Sequence, residues 1–182
     1  DTIHGGADAD EIHGGSGNDL IHGDDGSDLI FGDSGDDTIH GGTGNDTLHG
    51  GSGDDLIFGG GNADMIYGGS GDDVIHAGTG RDTLRGGNGA DVFVWSDAAQ
   101  SLHGPDRDSI ADFTPGEDRI DLSGIMDGLV WVGTGAFTGG AGEVRYNAVI
   151  GRLYIDMTGN GASNVSIDLA GAPALGEADL IL

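Results

Sequence analysis

The sequence predicts an all-β protein, a right-handed parallel β-roll of nonapeptide repeats closed by a C-terminal antiparallel β cap. Three observations predict it. Asp recurs every nine residues without a slip, at positions 1, 10, 19, 28, 37, 46, 55, 64, 73, 82 and 91. Two residues after each Asp stands an apolar residue: Ile3, Ile12, Ile21, Ile30, Ile39, Leu48, Ile57, Ile66, Ile75, Leu84 and Phe93. Gly fills most of the turn before each Asp, as in GGSGNDLIH from Gly14 and GGTGNDTLH from Gly41.

The repeat unit is G-G-x-G-x-D-x-U-x, with U apolar. Its x-U-x piece alternates out, in, out, as a half-buried strand does. Only U faces inward, so the core is a narrow file of Ile and Leu, which Phe93 ends and plugs. The G-G-x-G-x-D piece turns sharply, and Gly permits the positive φ such a turn needs. Where the fourth position is not Gly it is Asp8 or Asn62; where the second is not Gly it is Asp24 or Asp33. Asn and Asp are the next residues most tolerant of left-handed backbone. The first position admits Ala77, which implies a milder demand there.

Two nonapeptides make one turn of the roll, so each repeat stacks on the second one along. Asp10, Asp28, Asp46, Asp64 and Asp82 then form one file, and Asp19, Asp37, Asp55, Asp73 and Asp91 the other. Neighbouring turns lie ~4.8 Å apart. Two bare carboxylates at that separation repel by roughly 1 kcal/mol in water and ~3.5 kcal/mol at an effective dielectric of 20. A narrow Ile file does not offset that penalty along its whole length. Hard cations between successive turns remove it, and carboxylate with carbonyl oxygens is the ligand set Ca²⁺ takes more readily than Mg²⁺. The plainer alternative is that each Asp merely caps its turn by accepting a nearby N–H. Eleven in phase, in two stacked files, favour calcium.

Charge narrows the partners. The chain has 32 Asp and Glu against six Arg and no Lys, for a formal net charge of −26. Nucleic acid, anionic lipid and polyanionic ligands are repelled by such a surface, and multivalent cations are attracted. There is no Cys, so thiolate metal sites and disulfides are excluded. No apolar run approaches the ~20 residues of a membrane span. No H-E-x-x-H zinc helix and no G-x-S-x-G elbow occurs, and the many Asp pairs sit in exposed turns, so no catalytic residue is assigned.

These repeats resemble the RTX family, and more closely the C-terminal domain of serralysin-type metalloproteases. Residues 5–94 carry the repeat. Residues 90–125 resemble the segment that closes the roll in those proteins: Ala90-Asp91-Val92-Phe93-Val94, Asp108-Ser109-Ile110-Ala111-Asp112-Phe113, and Gly116-Glu117-Asp118-Arg119-Ile120-Asp121-Leu122-Ser123. The resemblance implies calcium held by the side chains of Asp10, Asp19, Asp28, Asp37, Asp46, Asp55, Asp64, Asp73, Asp82 and Asp91, with Asp108 and Asp112 as further ligands. It also implies turn carbonyls as ligands: Gly14, Gly15, Ser16, Gly17, Gly32, Ser34, Gly35, Gly41, Gly42, Thr43, Gly44, Gly50, Gly51, Ser52, Gly53, Gly68, Gly69, Ser70, Gly71, Gly78, Thr79, Gly80, Gly87 and Gly89. Roughly eight Ca²⁺ would supply about +16 of charge. A chain unfolded at low calcium, and exported by a type I secretion system that reads an uncleaved C-terminal signal, is part of the same expectation.

Residues 95–182 change character, and the expected division is a roll over 1–94 and a cap over 95–182. Residues 95–107 read as a loop leaving through Trp95 and passing Pro105. Ile110–Phe113 and Arg119–Leu122 read as short strands or turns, and Glu143–Tyr146, Arg152–Asp156 and Val165–Leu169 as strands that alternate. The turn Asp156-Met157-Thr158-Gly159-Asn160-Gly161-Ala162-Ser163 is poorer in Asp than the matching segment of the serralysin-like proteins it resembles, so no extra calcium site is expected there. The final Asp179-Leu180-Ile181-Leu182 reads as the export signal, as an edge strand, or as both.

Six of the seven His occupy the last repeat position, at 4, 13, 22, 40, 49 and 76; His103 lies in the loop. Such a ladder could chelate a transition metal, sense pH, or simply stack its rings, and stacking is favoured. Three functions compete. The favoured one is a non-catalytic calcium-triggered folding module of a secreted, extracellular protein, with calcium ions, the type I secretion machinery and an upstream domain as partners. The second is a surface that holds a polysaccharide or cell surface, with a neutral glycan on the His and aromatic ladder. The third is a part of an enzyme whose catalytic region, a metalloprotease, lipase or epimerase, lies upstream.

Overall fold

A computed structural model describes residues 1–100, 107–171 and 173–182. The repeats form eleven strands: β1 (Thr2–Ala7), β2 (Glu11–Ser16), β3 (Leu20–Asp25), β4 (Leu29–Ser34), β5 (Thr38–Thr43), β6 (Thr47–Ser52), β7 (Leu56–Gly61), β8 (Met65–Ser70), β9 (Val74–Thr79), β10 (Thr83–Asn88) and β11 (Val92–Val94). Odd strands stack in one parallel sheet and even strands in the other. Ile3 pairs with Ile21, Ile12 with Ile30 and Leu48 with Ile66, so one turn of the roll is two nonapeptides.

The x-U-x pattern predicts three-residue strands, but strands β1 to β10 run six residues. Turn residues pair as well: Gly42 stands beside Gly60 and Thr43 beside Gly61. Turns of equal length keep the register of the strands they join, so the ladder continues around the corner. The inward residues from Ile21 to Phe93 are fully buried.

Seven further strands follow: β12 (Ser109–Ile110), β13 (Arg119–Asp121), β14 (Val130–Gly133), β15 (Glu143–Asn147), β16 (Arg152–Asp156), β17 (Val165–Leu169) and β18 (Leu180–Ile181). Phe93 does not end the apolar file as its size suggested. It pairs with Ile120, which pairs with Leu180, while Leu84 pairs with Ile110, which pairs with Leu169. The chain thus extends both sheets beyond the repeats with short parallel strands. Phe93 instead packs tilted against Phe113, ring centroids 6.3 Å apart. Strands β15, β16 and β17 form the expected antiparallel unit, joined to the roll through β12. Strand β14, unforeseen in the sequence, lies parallel to β15. The last strand, β18, is the edge of the eight-stranded sheet. Of the loop expected over 95–107, residues 101–106, with His103 and Pro105, lie outside the described residues.

Candidate metal centre

The site begins with turn backbone. All ten second positions and all ten fourth positions of the complete turns have positive φ, including Asp8 at 78°, Asp24 at 70°, Asp33 at 73° and Asn62 at 78°. Those four are the positive-φ residues other than Gly among the described residues, as the sequence pattern predicts.

First positions do not need positive φ, yet they are nearly all Gly for a second reason. A Cβ on Gly14 would stand 2.7 Å from the Gly32 carbonyl oxygen and 2.9 Å from Asp19 Oδ2. A Cβ on Gly41 would stand 2.5 Å from the Gly59 oxygen and 2.7 Å from Asp46 Oδ2. The demand there is for space, and it is not mild. Ala77 is the one first position of the complete turns that is not Gly, and nothing in the structure explains why it is admitted.

From Asp28 to Asp91 each repeat Asp divides its carboxylate. One oxygen, Oδ1, accepts the backbone N–H of the Asp one turn earlier: Asp28 from Asp10 at 2.9 Å, Asp46 from Asp28 at 2.9 Å, Asp55 from Asp37 at 2.8 Å, and so along both files. The other oxygen, Oδ2, is buried without a partner in Asp10, Asp19, Asp28, Asp37, Asp46, Asp55, Asp64, Asp73, Asp82 and Asp91. Capping alone therefore uses half of each carboxylate. Ten orphaned carboxylate oxygens in one small domain are far outside what a folded protein tolerates unless a cation faces them.

First-position carbonyl oxygens line the same gaps. First-position carbonyls, among them Gly32, Gly41, Gly50 and Gly68, face the space a Cβ would fill one turn earlier, beside Oδ2. The second- and fourth-position carbonyls of Gly17, Gly35, Gly42, Gly51, Gly53, Gly69 and Gly71 instead face the second- and fourth-position glycines one turn later, not the first-position space beside Oδ2. Gly23, Gly59, Ala77 and Gly86 play the first-position part too, although the resemblance did not single them out. The carbonyls of Ser34, Thr43, Ser52 and Ser70 are directed differently. Each accepts the fourth-position N–H of the preceding turn, as Ser34 does from Gly17 at 2.8 Å. The oxygens beside Oδ2 are thus carboxylate and carbonyl, which fits Ca²⁺.

Electrostatics agree. Burial raises the carboxyl pKa of Asp64 and Asp73 to about 7, and that of Asp55, Asp82 and Asp91 to about 6. For Asp55, Asp64, Asp73 and Asp91, neighbouring carboxylates add to the rise, and the ladder N–H bonds oppose it.

The ends of the files differ. Asp108 continues one file, accepting the Asp82 N–H at 2.9 Å, but its Oδ2 accepts Trp95 Nε1–H at 2.8 Å. Asp118 continues the other, accepting the Asp91 N–H at 3.1 Å, and its Oδ2 accepts the Thr114 N–H at 2.7 Å. Spacing could not find Asp118, which stands 27 residues from Asp91. Asp112 occupies the first-position place one turn beyond Gly86 and accepts its N–H at 3.1 Å. Asp156 is spent on its own turn: burial raises its pKa, but the N–H groups of Gly161, Thr158 and Gly159 outweigh that and hold it below the usual value.

The outward His ladder is a stack. His4, His22, His40, Phe58 and His76 lie with centroids 4.6–4.8 Å apart and interplanar angles of 3–15°. His13, Phe31, His49 and Tyr67 form the second. Imidazole lone pairs lie in the ring plane, so parallel stacked rings do not converge on one ion. Among the described residues no group of three or more His, Cys, Asp or Glu side chains is placed to hold a metal ion, so the calcium reading rests on carboxylates combined with turn carbonyls.

A parallel roll with carboxylate and carbonyl oxygens lining its turns is the architecture of an RTX calcium-binding repeat protein, and residues 1–30 match the model of the RTX calcium-binding nonapeptide repeat. Residues 45–182 match the model of the peptidase M10 serralysin C terminal, and the chain belongs to that family. Among solved structures, it is similar to the AlgE6R3 subunit of the Azotobacter vinelandii mannuronan C5-epimerase: 26% identity, 97% of this chain, 80% of that chain, TM-score 0.37. The AlgE6R2 subunit of the same enzyme is 30% identical over 81% of this chain and 88% of that one, TM-score 0.44. No curated protein matches.

Proposed function

We propose that this is a non-catalytic module that folds when calcium fills the gaps between its turns, and that this folding supports type I secretion and the stability of a larger exoprotein. The observation that carries it is the row of ten buried Oδ2 atoms without partners. The ligands of this reading are the ten repeat Asp side chains with the turn carbonyls, for roughly eight ions; Asp108 and Asp112 stand at the file ends. Residues 1–94 act as the calcium roll and 95–182 as the cap that covers its end. In calcium-poor cytosol the carboxylate files repel and the chain stays threadable. Outside the cell, calcium at about 10⁻⁴–10⁻³ M, the range of extracellular modules, folds it and opposes its return.

The test is a Ca²⁺ titration of metal-free chain, followed by far-UV circular dichroism and by fluorescence of Trp95 and Trp131, with Mg²⁺ as control. Cooperative gain of β structure with Ca²⁺ and not with Mg²⁺ is expected. A chain already folded in chelator and indifferent to Ca²⁺ would remove the basis of the proposal.

A further inference from the structure

All six Arg lie beyond residue 80, and five of them stand in or just before strands of the ten-stranded sheet: Arg81, Arg85, Arg107, Arg145 and Arg152. Arg152 and Arg107 share Asp168, the latter through Nε at 3.2 Å. Arg145 is different. Its guanidinium lies over Tyr154 at 4.7 Å and over Phe137 at 5.0 Å, and among the described residues it has no carboxylate partner. Its Nε is buried and makes no hydrogen bond.

Two acids of the same antiparallel unit are engaged by backbone N–H groups of their own turns. Glu143, two residues before it on β15, accepts the N–H groups of Thr138 and Gly140 at 2.7 and 3.1 Å. Asp156, opposite Glu143 on β16, accepts those of Thr158, Gly159 and Gly161. These two carboxylates fix the turns on either side of Arg145. Between the turns opens a pocket of about 460 Å³, lined by Ala136, Phe137, Arg145, Gly161, Ala162 and Ser163.

We propose that this pocket binds the carboxylate of a small organic acid, with Arg145 as its anchor. The guanidinium carbon lies over both rings, and guanidinium N–H groups donate along the edge of their plane. An in-plane fork suits a planar carboxylate, which it takes with two parallel hydrogen bonds. Walls held by Glu143 and Asp156 present this edge already ordered, so little freedom is lost on binding. A carboxylate can come from a uronic acid or from an acidic amino acid, and the pocket's chemistry is shared by both.

The test uses the calcium-loaded chain and amide shifts of Gly161, Ala162 and Ser163 together with the Arg145 side-chain resonance. Galacturonate, N-acetylglutamate and acetate are titrated, with glucose as the uncharged control. Carboxylates are expected to move these signals saturably, and the stronger of galacturonate and N-acetylglutamate identifies the source. Arg145→Gln and Arg145→Lys are both expected to weaken binding by roughly tenfold or more, because Lys keeps charge but loses the fork. Arg119→Gln, on the other sheet, should change nothing. Calcium-dependent circular dichroism checks that each variant folds. Equal response to glucose, shifts that persist in Arg145→Gln, or no response to any carboxylate would overturn the proposal.

Discussion

Each repeat aspartate does two things with one side chain, and substitution can separate them. Asp46→Asn keeps an oxygen for the Asp28 N–H but removes the charge on the oxygen that has no partner. If the carboxylate were only a turn cap, Asn would be neutral in its effect. We expect instead that Asp46→Asn eases folding in chelator, by relieving repulsion within the file, yet raises the calcium midpoint by at least about tenfold at the sites it touches. Asp46→Ala should weaken calcium-dependent folding and its cooperativity more than Asp10→Ala, because Asp46 is buried in mid-stack and Asp10 is half-exposed near the end. Equal effects in calcium-dependent melting would contradict this. At the same scale, Asp24→Gly should stabilise the calcium form by about 1 kcal/mol, since Gly takes the 70° φ without strain. The exposed Asp24–His4 contact at 3.1 Å that it removes is worth less. These residues were legible because a nine-residue period exposes every departure: Asp8, Asp24, Asp33 and Asn62 stood out as the places where Gly was replaced by its nearest conformational substitutes. Asp118 was not legible, because it joins its file after the period has ended.

At the scale of elements, the turn proves as constrained as the strand, and this was only half visible. A sequence reports φ through the choice of Gly, Asn or Asp, but it does not distinguish a Gly needed for φ from one needed for room. First-position glycines are of the second kind, and the single exception at Ala77 made the demand look milder than it is. Gly41→Ala should therefore cost about 1–3 kcal/mol by crowding the Gly59 carbonyl and Asp46 Oδ2. It should also impair calcium-dependent folding, whereas Ala77→Gly should leave both nearly unchanged. Thermal melts in calcium and calcium titrations of the two variants decide the matter; comparable losses in both would contradict the spatial account. The strands after Val94 were partly legible by alternation: Arg152–Asp156 and Val165–Leu169 fall where that pattern put them. Strand β14, with Trp131 and Val132 between glycine-rich stretches, was missed because it is short and has no alternation to read.

For the whole molecule, a charge of −26 and two buried carboxylate files make folding depend on pH as well as on calcium. A carboxyl whose pKa is raised by burial binds protons in the folded state at a pH where the unfolded chain has lost them. Its contribution favours the fold below the unfolded value near 3.8 and is lost as pH rises through about 6 to 7, the folded values of Asp55, Asp64, Asp73, Asp82 and Asp91. The ladder acts in the opposite sense. Burial lowers the pKa of His40, His49 and His76, so they oppose folding as pH falls below 6.5. Eight repeat or file-end carboxyls shift up against three imidazoles that shift down, so the carboxyls dominate. Protons thus do in part what calcium does, by neutralising the files. In chelator, β structure should increase as pH is lowered from 7.5 towards 5. With calcium present the midpoint should move to higher calcium over the same range, because ligands must shed their protons to bind. Circular dichroism across a grid of pH and calcium measures both. A calcium midpoint independent of pH, with no acid-induced structure in chelator, would mean that the files are not the element on which folding turns.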